Sequence, residues 1–248
     1  MLETALALAL ALPAAPMARS ELPFLPDERS DYTVSYLGVK VGTAQIRVGR
    51  PEGLVLPLLL LARTGGIASF MDVREQLISY LDAESRLPRS FILEATEGSY
   101  RHSQTTRFAR KAGTATVTSK SRYERTEVVD VPARTLDFVA MVFLLRTLPL
   151  EPGQEHRFQV LAGTKVQPVV AEVVGRERVE TRAGAFPAVK VRVPTGFTGK
   201  FSEKDPTYIW FSDDARRVVV RVATDFAIGH AVATLTGYQA GVPPPDLR

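Results

Sequence analysis

The chain has 248 residues, 45% of them apolar and none of them cysteine, with a formal net charge of +4. That apolar share can form an ordinary core, which excludes a disordered chain, and the missing cysteine excludes disulfides, thiolate zinc sites, iron–sulfur clusters and cysteine nucleophiles. Lys and Arg are scattered among Asp and Glu, as in Arg110–Glu127, and no dense basic block supports nucleic-acid binding.

At the N-terminus, Ala5–Leu12 is a run of Ala and Leu followed by small residues and prolines. It is too short for a bilayer span of ~20 apolar residues. It reads as the apolar centre and cleavage region of a secretory signal over residues 1–18, although Glu3 stands where Lys or Arg is usual. The alternative is a frayed, disordered N-terminus.

From Asp31 the apolar residues recur with the strand period of two. Tyr32, Val34 and Tyr36 share one face, and Ala44, Ile46 and Val48 share another, with Gly38 and Gly42 marking the break. Leu54–Ala62 is apolar on both faces, so that strand is expected to be covered on both sides. Pro57 within it predicts an edge strand or a bulge. Arg63–Pro88 fits strand best, with Ile67, Phe70 and Met71 able to form one helical turn after Gly65 and Gly66. Ser99–Val131 is rich in Thr, Ser and Arg, with a hairpin tip at Lys111–Gly113. Strands this polar have one face in solvent and the other in a wet concavity.

Phe138, Met141, Val142 and Leu145 recur at i, i+3, i+4 and i+7, which predicts a helix over Thr135–Leu148. Asp137 or Thr135 can cap its start, and Pro149 and Gly153 end it. Apolar residues all round it predict a helix packed under or inside a sheet. After Gly153 the strands return, with turn signals every ~8–12 residues, the spacing of antiparallel architectures. The stretch Tyr208–Val222 holds the single Trp, Trp210, and the neighbouring carboxylates Asp213 and Asp214. Neighbours on an extended chain point to opposite faces, so the pair reads as a turn between two strands. The expected fold is all-β, mainly antiparallel, a rolled or open-barrel sheet with one packed helix near 135–148. It forms a single domain over 31–238, with a disordered tail at 239–248.

Motifs that carry chemistry are few. His102, His156 and His230 lie on separate strands without metal-ligand spacing, so no metal and no cofactor is expected. There is no G-x-S-x-G elbow, P-loop or G-x-G-x-x-G, and Arg63–Ser69 is Gly-rich without a lysine. Glu94, Glu97, Asp137, Glu172, Glu177 and the Asp213–Asp214 pair could serve a hydrolase only if two of them faced each other across a cleft.

Four pieces in order, Tyr32–Ala44, Leu136–Gln154, Gly175–Val191 and Tyr208–Val222, resemble the bacterial domain-of-unknown-function family 3108. The resemblance implies an exported envelope protein without established activity, built as an extended antiparallel β-roll. Such rolls are similar to open-barrel carriers of lipids and lipoproteins. That implies a periplasmic or outer-membrane-associated place, and it transfers no catalytic residue.

A β-roll needs something to fill its concave face, either its own helix or a ligand. The candidate lining residues are Leu56, Leu58, Leu60, Phe70, Phe91, Trp210 and Phe211, with Phe138–Leu145 as plug or lid. Arg101, Arg107 and Arg122 suit a rim that pairs an anionic head group. The leading expectation is a non-enzymatic carrier of a lipid or lipoprotein acyl chain, with peripheral membrane contact at most and no nucleic acid. The rivals are a structural component of the envelope that docks a protein partner, and a hydrolase of envelope polymers.

Overall fold

Alternating side chains and Gly- or Pro-marked turns make nearly every segment between Arg29 and Gln239 a strand. The computed structural model describes residues 22–194, 206–225 and 230–243, and shows fourteen strands and one α-helix. In chain order the strands are β1 (Arg29–Tyr36), β2 (Val39–Val48), β3 (Val55–Thr64), β4 (Val73–Asp82), β5 (Pro88–Glu97), β6 (Tyr100–Ala109), β7 (Thr114–Lys120) and β8 (Glu124–Asp130). After the helix α1 (Phe138–Leu145) follow β9 (Glu155–Ala162), β10 (Lys165–Thr181), β11 (Gly184–Val193), β12 (Thr207–Ser212), β13 (Val219–Asp225) and β14 (His230–Gln239). A 3-10 turn, Gly66–Met71, interrupts the stretch read as strand and joins β3 to β4, at the place where Ile67, Phe70 and Met71 offered a helical turn as the alternative.

All fourteen strands form one sheet, ordered β8-β7-β6-β5-β4-β3-β2-β1-β14-β13-β12-β11-β10-β9, with antiparallel pairing throughout. The N-terminal hairpins run out to one side of β1 and the C-terminal ones to the other. β1 and β14 join the halves, with Thr33 opposite Thr234. The sheet rolls until its two ends approach. Ala115, Val117 and Val131 pack with Leu161, and Leu136 makes a parallel bridge to Val160 on β9. The roll stays open, because the connection after β8, not a further strand ladder, spans the gap.

The helix fills the roll. Val139, Ala140, Met141, Val142, Phe143 and Leu145 are buried on every side of it, and it packs on β3, β4 and β9. A helix apolar all round is stable only when enclosed in this way. Asp137 caps it, accepting the Ala140 N–H at 2.8 Å, and Ser79 Oγ donates to the same carboxylate at 2.6 Å. The helix is thereby tied to β4 as well as packed on it. No helix among the described residues is long and apolar enough to cross a membrane.

Two local expectations need correction. Pro57 lies in β3, an interior strand between β2 and β4, not at an edge. Its carbonyl accepts the Gly49 N–H at 2.7 Å, so its nitrogen faces the same way. The last β2–β3 pair is Val48–Leu58, and the missing donor therefore points past the end of β2 and removes no ladder bond. The tail also starts later than expected. Gln239 pairs with Arg29, and the Val242 N–H donates to the Pro26 carbonyl at 2.8 Å. The rest of that tail, 244–248, and the signal-like segment 1–18 lie outside the described residues.

Candidate ligand-binding cleft

Strand register decides what each face of the β2–β7 half can do. The row Val48, Leu58, Ser79, Phe91, Thr106 and Val117 faces the helix, with Ser79 bonded to its cap. Side chains alternate along a strand, so residues one position away face outward. Two outward rows result. One runs Thr43, Arg63, Arg74, Thr96 and Arg101, and the other Gln45, Leu61, Gln76, Glu94, Ser103 and Lys120.

All of these residues line a single open cavity of about 880 Å³, together with Arg47 and the strand residues Ala44, Ala62, Glu75, Ala95 and His102. Five cationic side chains, Arg47, Arg63, Arg74, Arg101 and Lys120, share this outward face with one carboxylate, Glu94. Arg74 is paired with Asp72 at 3.0 Å, Arg63 Nε donates to Thr43 Oγ1 at 3.4 Å, and Arg47 donates to Gln45. Arg101 and Lys120 have no ion-pair partner among the described residues. Arg47 Nε is buried without a hydrogen-bond partner. The cleft therefore has spare capacity for an anion. Beyond its wall the outward face turns apolar, because the next row is Leu59, Ile78 and Ile92, all half-buried. The leucines that make β3 apolar on both faces thus serve two surfaces: Leu56 and Leu58 the core, Leu59 and Leu61 the outward one.

The apolar residues expected to line a pocket go elsewhere. Leu56, Leu58, Phe91, Trp210 and Phe211 are buried in the main core, with Leu60 and Phe138 packed against it. Phe70 is 84% exposed on the 3-10 turn. Arg101 lines the cleft, whereas Arg107, on the same outward face of β6, lies outside it. Trp210 stands in a row with Lys190 and Arg221, with Lys190 Nζ 5.0 Å and Arg221 Cζ 5.7 Å from its ring. Its Nε1 donates to the Glu177 carboxylate. Sequence reasoning missed the cleft itself. Its signal was the polarity of β6 and β7, read as a wet concavity but not placed on the outer face.

The carboxylates do not converge. Asp137 caps the helix, Glu172 pairs with Arg192, and Glu177 holds Trp210. Asp213 pairs with Arg176 and Arg217, and Asp214 accepts the Ser212 hydroxyl and the Arg216 and Arg217 N–H groups. The aspartate pair is the tip of the β12–β13 turn, as its spacing predicted. Glu75 and Glu94 both touch the cleft but project from opposite faces of adjacent strands. His156 Nε2 bonds the Pro149 carbonyl at 2.8 Å, and no metal-binding group of side chains occurs among the described residues.

Among solved structures, the chain is similar to a β-barrel-like protein of domain-of-unknown-function family 1849 from Brucella abortus. The identity is 10% and the TM-score 0.59, over 88% of this chain and 99% of that one. A protein with a YmcC-like fold from Bacteroides fragilis is 11% identical with a TM-score of 0.37, over 87% and 98% of the two chains. The first likeness establishes a shared barrel-like fold. No curated protein gives a significant match. A family model spans residues 31–236, nearly the whole rolled sheet, and the chain belongs to that family, DUF3108, described as a protein of unknown function.

Proposed function

We propose that this is a non-enzymatic, exported envelope protein that binds an anionic amphiphile, such as a lipid, in the outer cleft of its β-roll. The observation that carries the reading is the sequence of surfaces along β3–β5. A cationic row, Arg63 and Arg74, gives way to the cleft and then to the apolar row Leu59, Ile78 and Ile92. A head group would pair with Arg63, Arg101 and Lys120, since charge-assisted bonds to guanidinium are the strong ones. An acyl chain would lie along the leucine and isoleucines, gaining ~0.8 kcal/mol per buried CH₂. The interior is not the site in this reading, because α1 already fills it.

Export is supported by the Ala5–Leu12 run and the small residues after it. The scattered carboxylates favour binding over hydrolysis. The rival docking of a protein on an edge strand is less well supported, because β8 carries Glu124, Arg125, Glu127 and Asp130, charges that guard a free edge against pairing. The test is native mass spectrometry of protein purified without detergent, followed by thermal unfolding with added lysophosphatidylglycerol. A co-purified anionic lipid and a raised Tm support the proposal. Absence of both overturns it.

A further inference from the structure

The hairpin tips at one end of the β1–β8 half break the rule that turns are polar. Four turns meet there: Leu37–Gly38, the 3-10 turn, Gly98–Ser99 and Ser121–Tyr123. Each of them, or the residue beside it, exposes a large apolar or aromatic side chain. Leu37 is 56% exposed, Ile67 70%, Phe70 84%, Tyr100 56% and Tyr123 76%. With Val39 these are six of the ten exposed large hydrophobic residues among those described. The turns at the opposite end of the same strands read Gly49–Leu54, Ala83–Leu87 and Arg110–Gly113, and only Leu54 there is an exposed large hydrophobe. The asymmetry is therefore positional and not a general property of the surface.

Adjacent strands are ~4.8 Å apart, so the four tips form a row roughly 30 Å long. Behind it, at ~3.3 Å per residue, the exposed Arg63 lies about 10 Å from the crest of the 3-10 turn. Arg74 and Arg101 stand level with it in the same cross-strand row. Arg122 stacks 5.9 Å from the Tyr123 ring. Among the neighbouring carboxylates, Asp72 is paired with Arg74 at 3.0 Å.

We infer that this end docks on an anionic lipid bilayer, with Ile67 and Phe70 entering the acyl region, Tyr100 and Tyr123 at the interface, and the arginine row at the phosphates. The chemistry matches on three counts. Apolar tips of this size exposed in a row are the mark of an interaction surface. Tyr and Trp favour the membrane interface, where an amphipathic ring has both its media. Basic side chains beside the surface are drawn to anionic lipids, each contributing independently of shape. The inference does not rest on ligand binding in the cleft, although the cleft opens beside the same arginine row and a docked bilayer would lie against its mouth.

The test uses the full chain with vesicles of phosphatidylethanolamine and phosphatidylglycerol (3:1), compared with pure phosphatidylcholine. The expected result is co-sedimentation with the anionic vesicles, at least tenfold weaker in the double variant I67S/F70S. In a second measurement F70W, read against the wild-type Trp210 signal, shifts to the blue on adding vesicles and is quenched by acyl-brominated lipid. Equal binding by I67S/F70S, or an F70W spectrum unchanged by vesicles, overturns the inference. So does self-association through this end, seen as a dimer by sedimentation that I67S/F70S abolishes, in the absence of vesicle binding. Lysophosphatidylglycerol binding retained by I67S/F70S keeps this outcome separate from that of the cleft.

Discussion

The carboxylate of Glu28 and the guanidinium of Arg146 meet at 2.7 Å across 118 positions of sequence, with 4% and 2% of their side chains exposed. Glu28 precedes β1 and Arg146 follows α1, so the pair ties the enclosed helix to the point where the two halves of the sheet join. Arg146 also donates to the Arg216 carbonyl at 2.9 Å and lies over the rings of Phe24 and Phe143. Removing one partner leaves a buried charge alone. Glu28→Gln and Arg146→Met are each expected to cost about 3–5 kcal/mol, and the double substitution less than the sum, in urea denaturation. Additive losses would show that the two charges do not sense each other.

Asp137 makes stability depend on pH in an unusual direction. Burial pushes its carboxyl up from 3.8 to about 6, against the opposing hydrogen bonds from Ala140 and Ser79. An acid whose pKa is raised by folding holds its proton longer in the folded state than in the unfolded one. Its contribution is therefore fully present below pH 4 and declines as pH rises to about 6. At ~1.4 kcal/mol per pH unit the fall is of order 3 kcal/mol. Asn is an equally good cap, so Asp137→Asn should keep the helix and remove this slope. The check is the difference between wild-type and variant stability from pH 4 to 7, which grows in the variant's favour. A flat difference would refute the assignment.

At Gly42 the backbone of β3 leaves no room for a side chain on β2. A Cβ there would stand 2.2 Å from the Arg63 carbonyl oxygen, which cannot move without displacing the strand. Gly42→Ala is expected to cost about 1–3 kcal/mol, the usual penalty of overpacking. Gly65 is the control, with an extended backbone and nothing within 4 Å of its added Cβ. Gly65→Ala should be neutral or stabilise by about 0.5 kcal/mol. Equal midpoints for the two variants in urea would contradict this reading.

Arg63 and Arg101 contribute little to folding in this arrangement, because both are exposed and neither is paired with a carboxylate among the described residues. The double variant R63A/R101A should unfold within about 0.5 kcal/mol of wild type. It should bind lysophosphatidylglycerol at least tenfold more weakly, measured by the ligand's effect on Tm. Retained binding would move the ligand away from this cleft.

Local chemistry was legible wherever it depended on neighbours in sequence. The turn at Asp213–Asp214, the helix expected over Thr135–Leu148 and observed over Phe138–Leu145, and the tip at Lys111–Gly113 all follow from short-range rules. Pro57 misled because its meaning depends on where β2 ends, a fact held by a partner strand. Trp210 was legible as buried, but its cover of Lys190, Arg221 and Glu177 was not, because it comes from β11, β13 and β10.

The sequence by itself determined an antiparallel β protein with one enclosed helix, since period-two alternation and the all-apolar face pattern of Phe138–Leu145 are properties of consecutive residues. Only the tertiary structure decided that the helix fills the roll and that a cleft opens on the other side of the same strands. Shifting a strand by one residue exchanges its two faces without changing its pattern. Which of Leu58 and Leu59 meets the helix, and whether Arg63, Arg74 and Arg101 fall in one row, is set by register across the four strands β3 to β6.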